Sequence, residues 1–148
     1  MDLTGRVALV TGAGVRIGRA IALGLASEGA RIVVHYHRSA APAQVLVAEI
    51  ETLGGEALAV QGDLQDTPRL AELVEAGIRR FGHLDILVNS AAIFERGTIQ
   101  STDEENWSRH LDINLKAPFF LCQAFVNRLQ AEQRGHIINI ADWRGARP

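Results

Sequence analysis

Thr11 to Gly18 read TGAGVRIG, a spacing of glycines in which bare backbone can turn tightly and come close to a pyrophosphate. A helix that starts after such a loop adds free N–H groups and the positive end of its dipole, both of which favour negative charge. Gly12, Arg16, Ile17 and Gly18 are therefore the expected phosphate-binding residues. Arg16 stands where a loop of this kind often carries another glycine, so a cation joins a turn that usually relies on backbone alone. A second cluster follows in His35-Tyr36-His37-Arg38-Ser39. At this point of a dinucleotide site an acid accepts from the ribose 2′-hydroxyl of NAD, whereas a cation suits the 2′-phosphate of NADP. The cluster holds no acid and offers Arg38, whose planar fork fits a phosphate, with His37 and Ser39 as donors and Tyr36 alongside. NADPH is the expected cofactor. The plainer alternative for His35 and His37 is a pair of surface imidazoles, and no further Cys or His lies at metal-ligand spacing, so no metal site is expected.

Asp63-Leu64 can bracket an adenine, the carboxylate accepting from the exocyclic amine while leucine packs on the ring; equally, Asp63 can serve a capping region ahead of Thr67. In Asn89-Ser90-Ala91-Ala92, small residues allow backbone to approach a flat ligand closely, which makes Asn89, Ser90 and Ala91 candidate cofactor contacts. Phe94, shortly after, is either a core side chain or a stacking platform.

These clusters need a scaffold, and the hydrophobic pattern supplies one. Short continuous apolar runs at 7–10, 31–35, 57–61, 84–89 and 135–140 read as strands covered on both faces. Amphipathic stretches over about 17–28, 41–53, 67–81 and 103–133 read as helices. Gly29, Gly54, Gly82 and Gly135 follow those helices, where a left-handed cap is wanted. Such alternation predicts an α/β, Rossmann-type, doubly wound parallel sheet. Right-handed crossovers give strand order 3-2-1-4-5, with the ligand crevice where the order reverses between strands 1 and 4. Every cluster above lies at the carboxyl end of a strand.

The 148 residues read as one domain, 47% hydrophobic and 22% charged. A net charge of -2 offers no basic field for nucleic acid, and no apolar run approaches the length of a membrane span. Cys122 is the one cysteine and sits in an apolar run, as a small core residue in a reducing, cytoplasmic protein would.

Taken together, these residues resemble the short-chain dehydrogenase/reductase family over its N-terminal half or somewhat more. Thr11, Gly12 and Gly18 match the family loop TGxxxGxG, with Arg16 at the middle glycine. That arginine and the HYHRS segment resemble the pteridine reductase branch, and Ser39-Ala40-Ala41 continues the match. The family's NNAG element is present as Asn89-Ser90-Ala91-Ala92, having lost its second asparagine and its glycine. The resemblance implies that Phe94 stacks on a pterin, that Asn114 in DINLKAPFF holds a water in the proton relay, and that Asp142 replaces the usual catalytic serine. Asn114 could instead bond locally as a helix-interior asparagine, and Asp142 could simply cap a loop. Arg16 and Asp142 would also meet the substrate. Trp143 and Arg144 would lie near the pocket mouth, with no role assigned.

The implied reaction is NADPH-dependent transfer of hydride to a C=N bond of a dihydropterin or dihydrofolate. The alternatives are a 3-oxoacyl or other carbonyl reductase of the same family and a non-catalytic NADP-binding protein. The family's proton donor belongs to a Tyr-x-x-x-Lys element after strand 5; the chain's tyrosine is Tyr36 and its lysine Lys116, neither of them placed for that role. The expectation is therefore a truncated domain, inactive alone, whose C-terminal part completes the active site. Full length, the resemblance implies a homotetramer, because the helix after strand 5 commonly forms the family's subunit interface.

Overall fold

The structure is a computed structural model that describes residues 2–142. Strands β1 (Val7–Val10), β2 (Arg31–Tyr36), β3 (Ala57–Gln61), β4 (Ile86–Asn89) and β5 (His136–Asn139) form one sheet in the order β3-β2-β1-β4-β5. All four pairings are parallel, with Leu9 opposite Val33 on one side and Leu87 on the other. This is the predicted order, and the reversal lies between β1 and β4 as expected.

Alternation along β1 shows why the apolar runs had to be continuous. Val7 and Leu9 enter a core cluster with Leu73, Val74, Leu121 and Phe125, while Ala8 and Val10 enter a second with Ala22, Leu46 and Ile50. Each face of the sheet is thus covered over β1 by its own helices: α1 (Arg16–Ser27) and α2 (Ala40–Thr52) on one side, α3 (Leu70–Phe81) and α5 (Ala117–Val126) on the other. Successive strand residues point to opposite faces, so both parities must be apolar.

The stretch at 103–133 is helical from Glu104 to Val126, with a π turn inside it and an earlier end than expected. It divides into α4 (Glu104–Leu111), a π-helical turn at Asp112–Lys116 that carries Asn114, and α5; beyond Val126 the chain leaves the helix. A short 3-10 turn at Thr67–Arg69 likewise precedes α3. Left-handed backbone is found at Gly29, Gly54 and Gly82 but not at Gly135. There glycine serves packing instead, since a Cβ would lie 2.8 Å from the Phe125 ring.

At the amino ends of the strands, Asp85 is buried and ties the sheet together. Its carboxylate accepts from Arg6 Nη1 and from the Val7 amide, both at 2.9 Å, and lies 3.1 Å from His83 Nε2. At the far edge, β5 is partly exposed: Ile137 and Ile138 remain about two-fifths exposed. Leu111, Leu115 and Phe119 form an exposed apolar stripe on the segment running from α4 into α5. No helix among the described residues is long and apolar enough to cross a membrane.

Candidate cofactor and substrate crevice

The crevice opens at the carboxyl ends of β1 and β4, and its walls are held by hydrogen bonds between segments far apart in sequence. Thr11, at the exit of β1, accepts through Oγ1 from the amides of Ser90 at 2.9 Å and Ala91 at 3.0 Å. The same hydroxyl donates to the Val88 carbonyl. One side chain therefore ties the glycine loop to the start of the post-β4 loop, and the Ser90 and Ala91 amides are occupied by protein.

Within the loop, Gly12 takes φ 64° and passes so near β4's exit that a Cβ would lie 3.0 Å from Ala91 Cα. At Gly18 the demand is stronger: a Cβ would stand 2.4 Å from the Gly12 carbonyl oxygen. Helix and loop can approach this closely only without a side chain there. Arg16 also lies in the left-handed region, at φ 54°. That explains the glycine usual at this point, and it means that arginine is held here at a conformational cost of about 1–2 kcal/mol. The first turn of α1 has no side-chain cap and no acidic residue. Its leading amides, with exposed Arg16 and Ile17 around them, suit an anion.

His35 is buried, not a surface imidazole. Its Nδ1 accepts from the Gly12 amide at 3.2 Å, and Nε2 donates to the Gly62 carbonyl at 3.1 Å. Its own carbonyl accepts from the Ala13 amide at 3.0 Å. The imidazole thus holds the phosphate loop against the exit of β3. Burial pushes its pKa down from 6.5 to about 4, the Gly62 bond opposing that shift. His37 is half-buried, with Nε2 3.6 Å from Asp63 Oδ2, while Arg38 points into solvent and Ser39 precedes α2. Tyr36, half-buried, closes β2.

Asp63 serves its local turn, Oδ1 accepting from the Gln65 amide at 2.9 Å, and still faces His37 with its other oxygen. Leu64 is only 6% exposed and belongs to the core beneath the crevice. Asn89 is buried at the end of β4, where Nδ2 donates to Asn139 Oδ1 at 2.8 Å and lies 3.4 Å from Cys122 Sγ. Asn89 Oδ1 has no hydrogen-bond partner among the described residues.

Asn114 bonds Ile93 through both ends of its amide, Oδ1 accepting from its N–H and Nδ2 donating to its carbonyl, both at 2.9 Å, and each end keeps one further bonding position. The bonding is neither local to the helix nor solvent-directed; it secures the post-β4 loop from the π turn. Phe94, the next residue, is 79% exposed and so is not a core side chain. Asp142 lies past the end of β5, exposed, after a chain that continues to pair with β4 through the Ile140 amide and Asn89 carbonyl at 3.0 Å. Trp143 and Arg144 lie outside the described residues.

Sequence reasoning did not single out Thr11 or His35 as positioning groups, nor Glu95, Asn106 and His110, which bond to one another beside Phe94. Thr11 had a signal, because it begins the glycine motif. For His35 the signal was its place directly after the apolar run Ile32 to Val34 of its strand.

Among the described residues no group of three or more His, Cys, Asp or Glu is arranged to hold a metal ion. An exposed guanidinium at the β2 exit, uncapped helix amides and a glycine cradle that a Cβ would fill are chemically suited to a phosphorylated dinucleotide.

Known proteins share both sequence and fold. An uncharacterized oxidoreductase of Methylorubrum extorquens is 42% identical over 94% of this chain and 55% of the relative. A 3-oxoacyl-[acyl-carrier-protein] reductase of Synechocystis is 40% identical over 97% of this chain and 58% of the relative. The chain thus spans little more than half the length of these relatives. Among solved structures, a short chain dehydrogenase from Burkholderia cenocepacia in complex with NADP superposes with a TM-score of 0.93 at 36% identity, covering 99% of this chain and 59% of that one. FolM alternative dihydrofolate reductase 1 from Brucella canis, complexed with NADP, gives 0.91 at 34% identity, covering 96% and 56%. Residues 6–148 match the short chain dehydrogenase family, and the chain belongs to it.

Proposed function

We propose that this chain is the cofactor-binding part of an NADPH-dependent reductase acting on a C=N bond of a dihydropterin or dihydrofolate. The observation that carries the substrate reading is Phe94: a large aromatic ring, 79% exposed, on a backbone that Asn114 pins at the crevice. An exposed aromatic face can stack on a flat partner, and a pterin is such a partner. The likeness to the Brucella canis dihydrofolate reductase supports the same reading.

When bound, NADPH supplies the hydride. In this reading Gly12, Arg16, Ile17 and Gly18 hold the pyrophosphate, and Tyr36, His37, Arg38 and Ser39 surround the 2′-phosphate. Asp63 flanks the adenine with Leu64 supporting it from the core below, and Asn89, Ser90 and Ala91 line the floor beneath the nicotinamide side. Arg16 and Asp142 also reach the substrate. As the carbon of the C=N bond takes hydride, its nitrogen gains an electron pair and needs a proton; Asp142, with a tyrosine expected after residue 148, relays it, and Asn114 orders a water in that relay. By itself the 148-residue unit, read as a single domain, binds cofactor without turnover. The full-length protein is a cytoplasmic homotetramer in this reading, and the exposed stripe of Leu111, Leu115 and Phe119 supports self-association.

A second reading, reduction of a 3-oxoacyl thioester or another carbonyl, is favoured by the Synechocystis relative. Assaying NADPH oxidation by the full-length protein with dihydrobiopterin, dihydrofolate and an acetoacetyl thioester separates the two. Turnover of the thioester alone rejects the pterin assignment; binding of NADPH without turnover of any substrate supports a non-catalytic NADP-binding protein.

A further inference from the structure

Phe94 is flanked by two independent anchors, only one of which is Asn114. On its other side Glu95 is gripped by α4 at three points. The Glu95 N–H donates to His110 Nε2 at 3.1 Å, and Glu95 Oε2 accepts from Asn106 Nδ2 at 3.0 Å and from Arg109 Nη2. The grip closes on itself, because His110 Nδ1 donates to the Asn106 carbonyl at 2.8 Å. It is also registered to the start of the helix, where the Asn106 amide donates to the capping carboxylate of Asp103 at 2.8 Å. Asn106, Arg109 and His110 lie three and four residues apart, on one face of α4.

No such attachment is needed to bury apolar surface. Glu95 and Arg109 are both partly exposed, and isolated pairs of this kind contribute little to stability. Past Glu95 the loop closes on itself through Thr98 and Ser101 and returns to Asp103, and Phe94 and Arg96 border an open surface depression there. The bonds thus fix one place: the backbone on either side of an exposed aromatic ring.

We infer that Glu95, held by Asn106, Arg109 and His110, is a positioning residue that sets the Phe94 ring for a flat heteroaromatic substrate. The inference rests on the reading of Phe94 as a substrate platform. With Ile93 and Glu95 both pinned, the ring's approach to the crevice is determined before substrate arrives, so ordering it costs less on binding. Glu95 itself touches no reacting atom in this account; it acts through its neighbour.

The test uses the full-length protein and dihydrobiopterin, with Glu95→Ala, Glu95→Gln, Phe94→Ala and the double variant. Glu95→Ala removes both bonds accepted by the carboxylate and is expected to raise the KM for dihydrobiopterin about tenfold, with kcat changed less. The NADPH affinity and thermal midpoint stay unchanged, and Glu95→Gln, which keeps an acceptor for Asn106 and Arg109, restores part of the effect. In the Phe94→Ala background, Glu95→Ala adds nothing. If Phe94→Ala raises KM while Glu95→Ala does not, or if the two effects add, the positioning role is overturned and the platform survives. If Phe94→Ala leaves KM unchanged, or the wild type does not turn over dihydrobiopterin, the platform reading fails and the inference fails with it.

Discussion

His35 Nδ1 accepts the Gly12 amide at 3.2 Å, joining a buried imidazole to the loop expected to hold a pyrophosphate. Because Nε2 donates to the Gly62 carbonyl, the ring must remain neutral to serve both partners. Protonation would turn Nδ1 into a donor facing another donor.

The linkage has a definite sign. The folded pKa, about 4, lies below the unfolded value of 6.5, so below pH 6.5 the unfolded chain binds more protons at this site. Stability from His35 is complete above that value and falls as pH drops towards 4, by on the order of 3 kcal/mol across the window. Denaturant unfolding at stepped pH checks this: His35→Asn, which keeps an acceptor near Gly12, should show a flatter loss than wild type. Equal slopes would remove His35 from the pH dependence.

Arg38 is expected to select the cofactor. Arg38→Ala should weaken NADPH binding about 10- to 100-fold, as loss of one or two charge-assisted bonds implies, and leave NADH affinity nearly unchanged. Cofactor titration by fluorescence reads both. Equal wild-type affinities for the two cofactors, or parallel losses in the variant, would contradict the 2′-phosphate assignment.

At Gly18 the constraint is steric. Since a Cβ would lie 2.4 Å from the Gly12 carbonyl, Gly18→Ala should cost about 1–3 kcal/mol and displace the loop, weakening NADPH binding as well. Arg16→Gly should behave oppositely. It relieves left-handed strain of about 1–2 kcal/mol, partly offset by chain entropy, so stability holds or rises slightly while NADPH affinity falls. Unfolding midpoints and cofactor titrations on both variants separate these effects.

Asp85 provides a control at the other end of the sheet. Asp85→Ala leaves the Val7 amide without its buried acceptor and should cost about 1–3 kcal/mol, with NADPH affinity unchanged in the folded protein. A selective loss of cofactor binding would mean that the two ends of the sheet are coupled.

The sheet order could be read from the chain because β1, β2 and β4 are buried on both faces, so their apolar runs are unbroken and crossover handedness does the rest. The π turn could not. Asp112 to Lys116 keep an ordinary amphipathic pattern, and what distinguishes the turn is Asn114 reaching Ile93 across 21 residues. His35 was hidden for a similar reason: HYHRS is locally polar, and its partners Gly12 and Gly62 become visible only once three strands lie side by side. The crevice positions of Gly12, Gly18 and Arg38 followed from strand ends. The grip on Glu95 did not, because a loop and a helix face had first to be brought together.

In the proposed function this crevice serves NADPH-dependent reduction of a C=N bond. Its most direct measurement is the steady-state rate of NADPH oxidation by the full-length protein with dihydrobiopterin, for wild type and for Asp142→Ala. Stoichiometric formation of tetrahydrobiopterin by the wild type is expected, with a rate lowered about 100-fold or more in the variant. Turnover of an acetoacetyl thioester with none of dihydrobiopterin or dihydrofolate would contradict it.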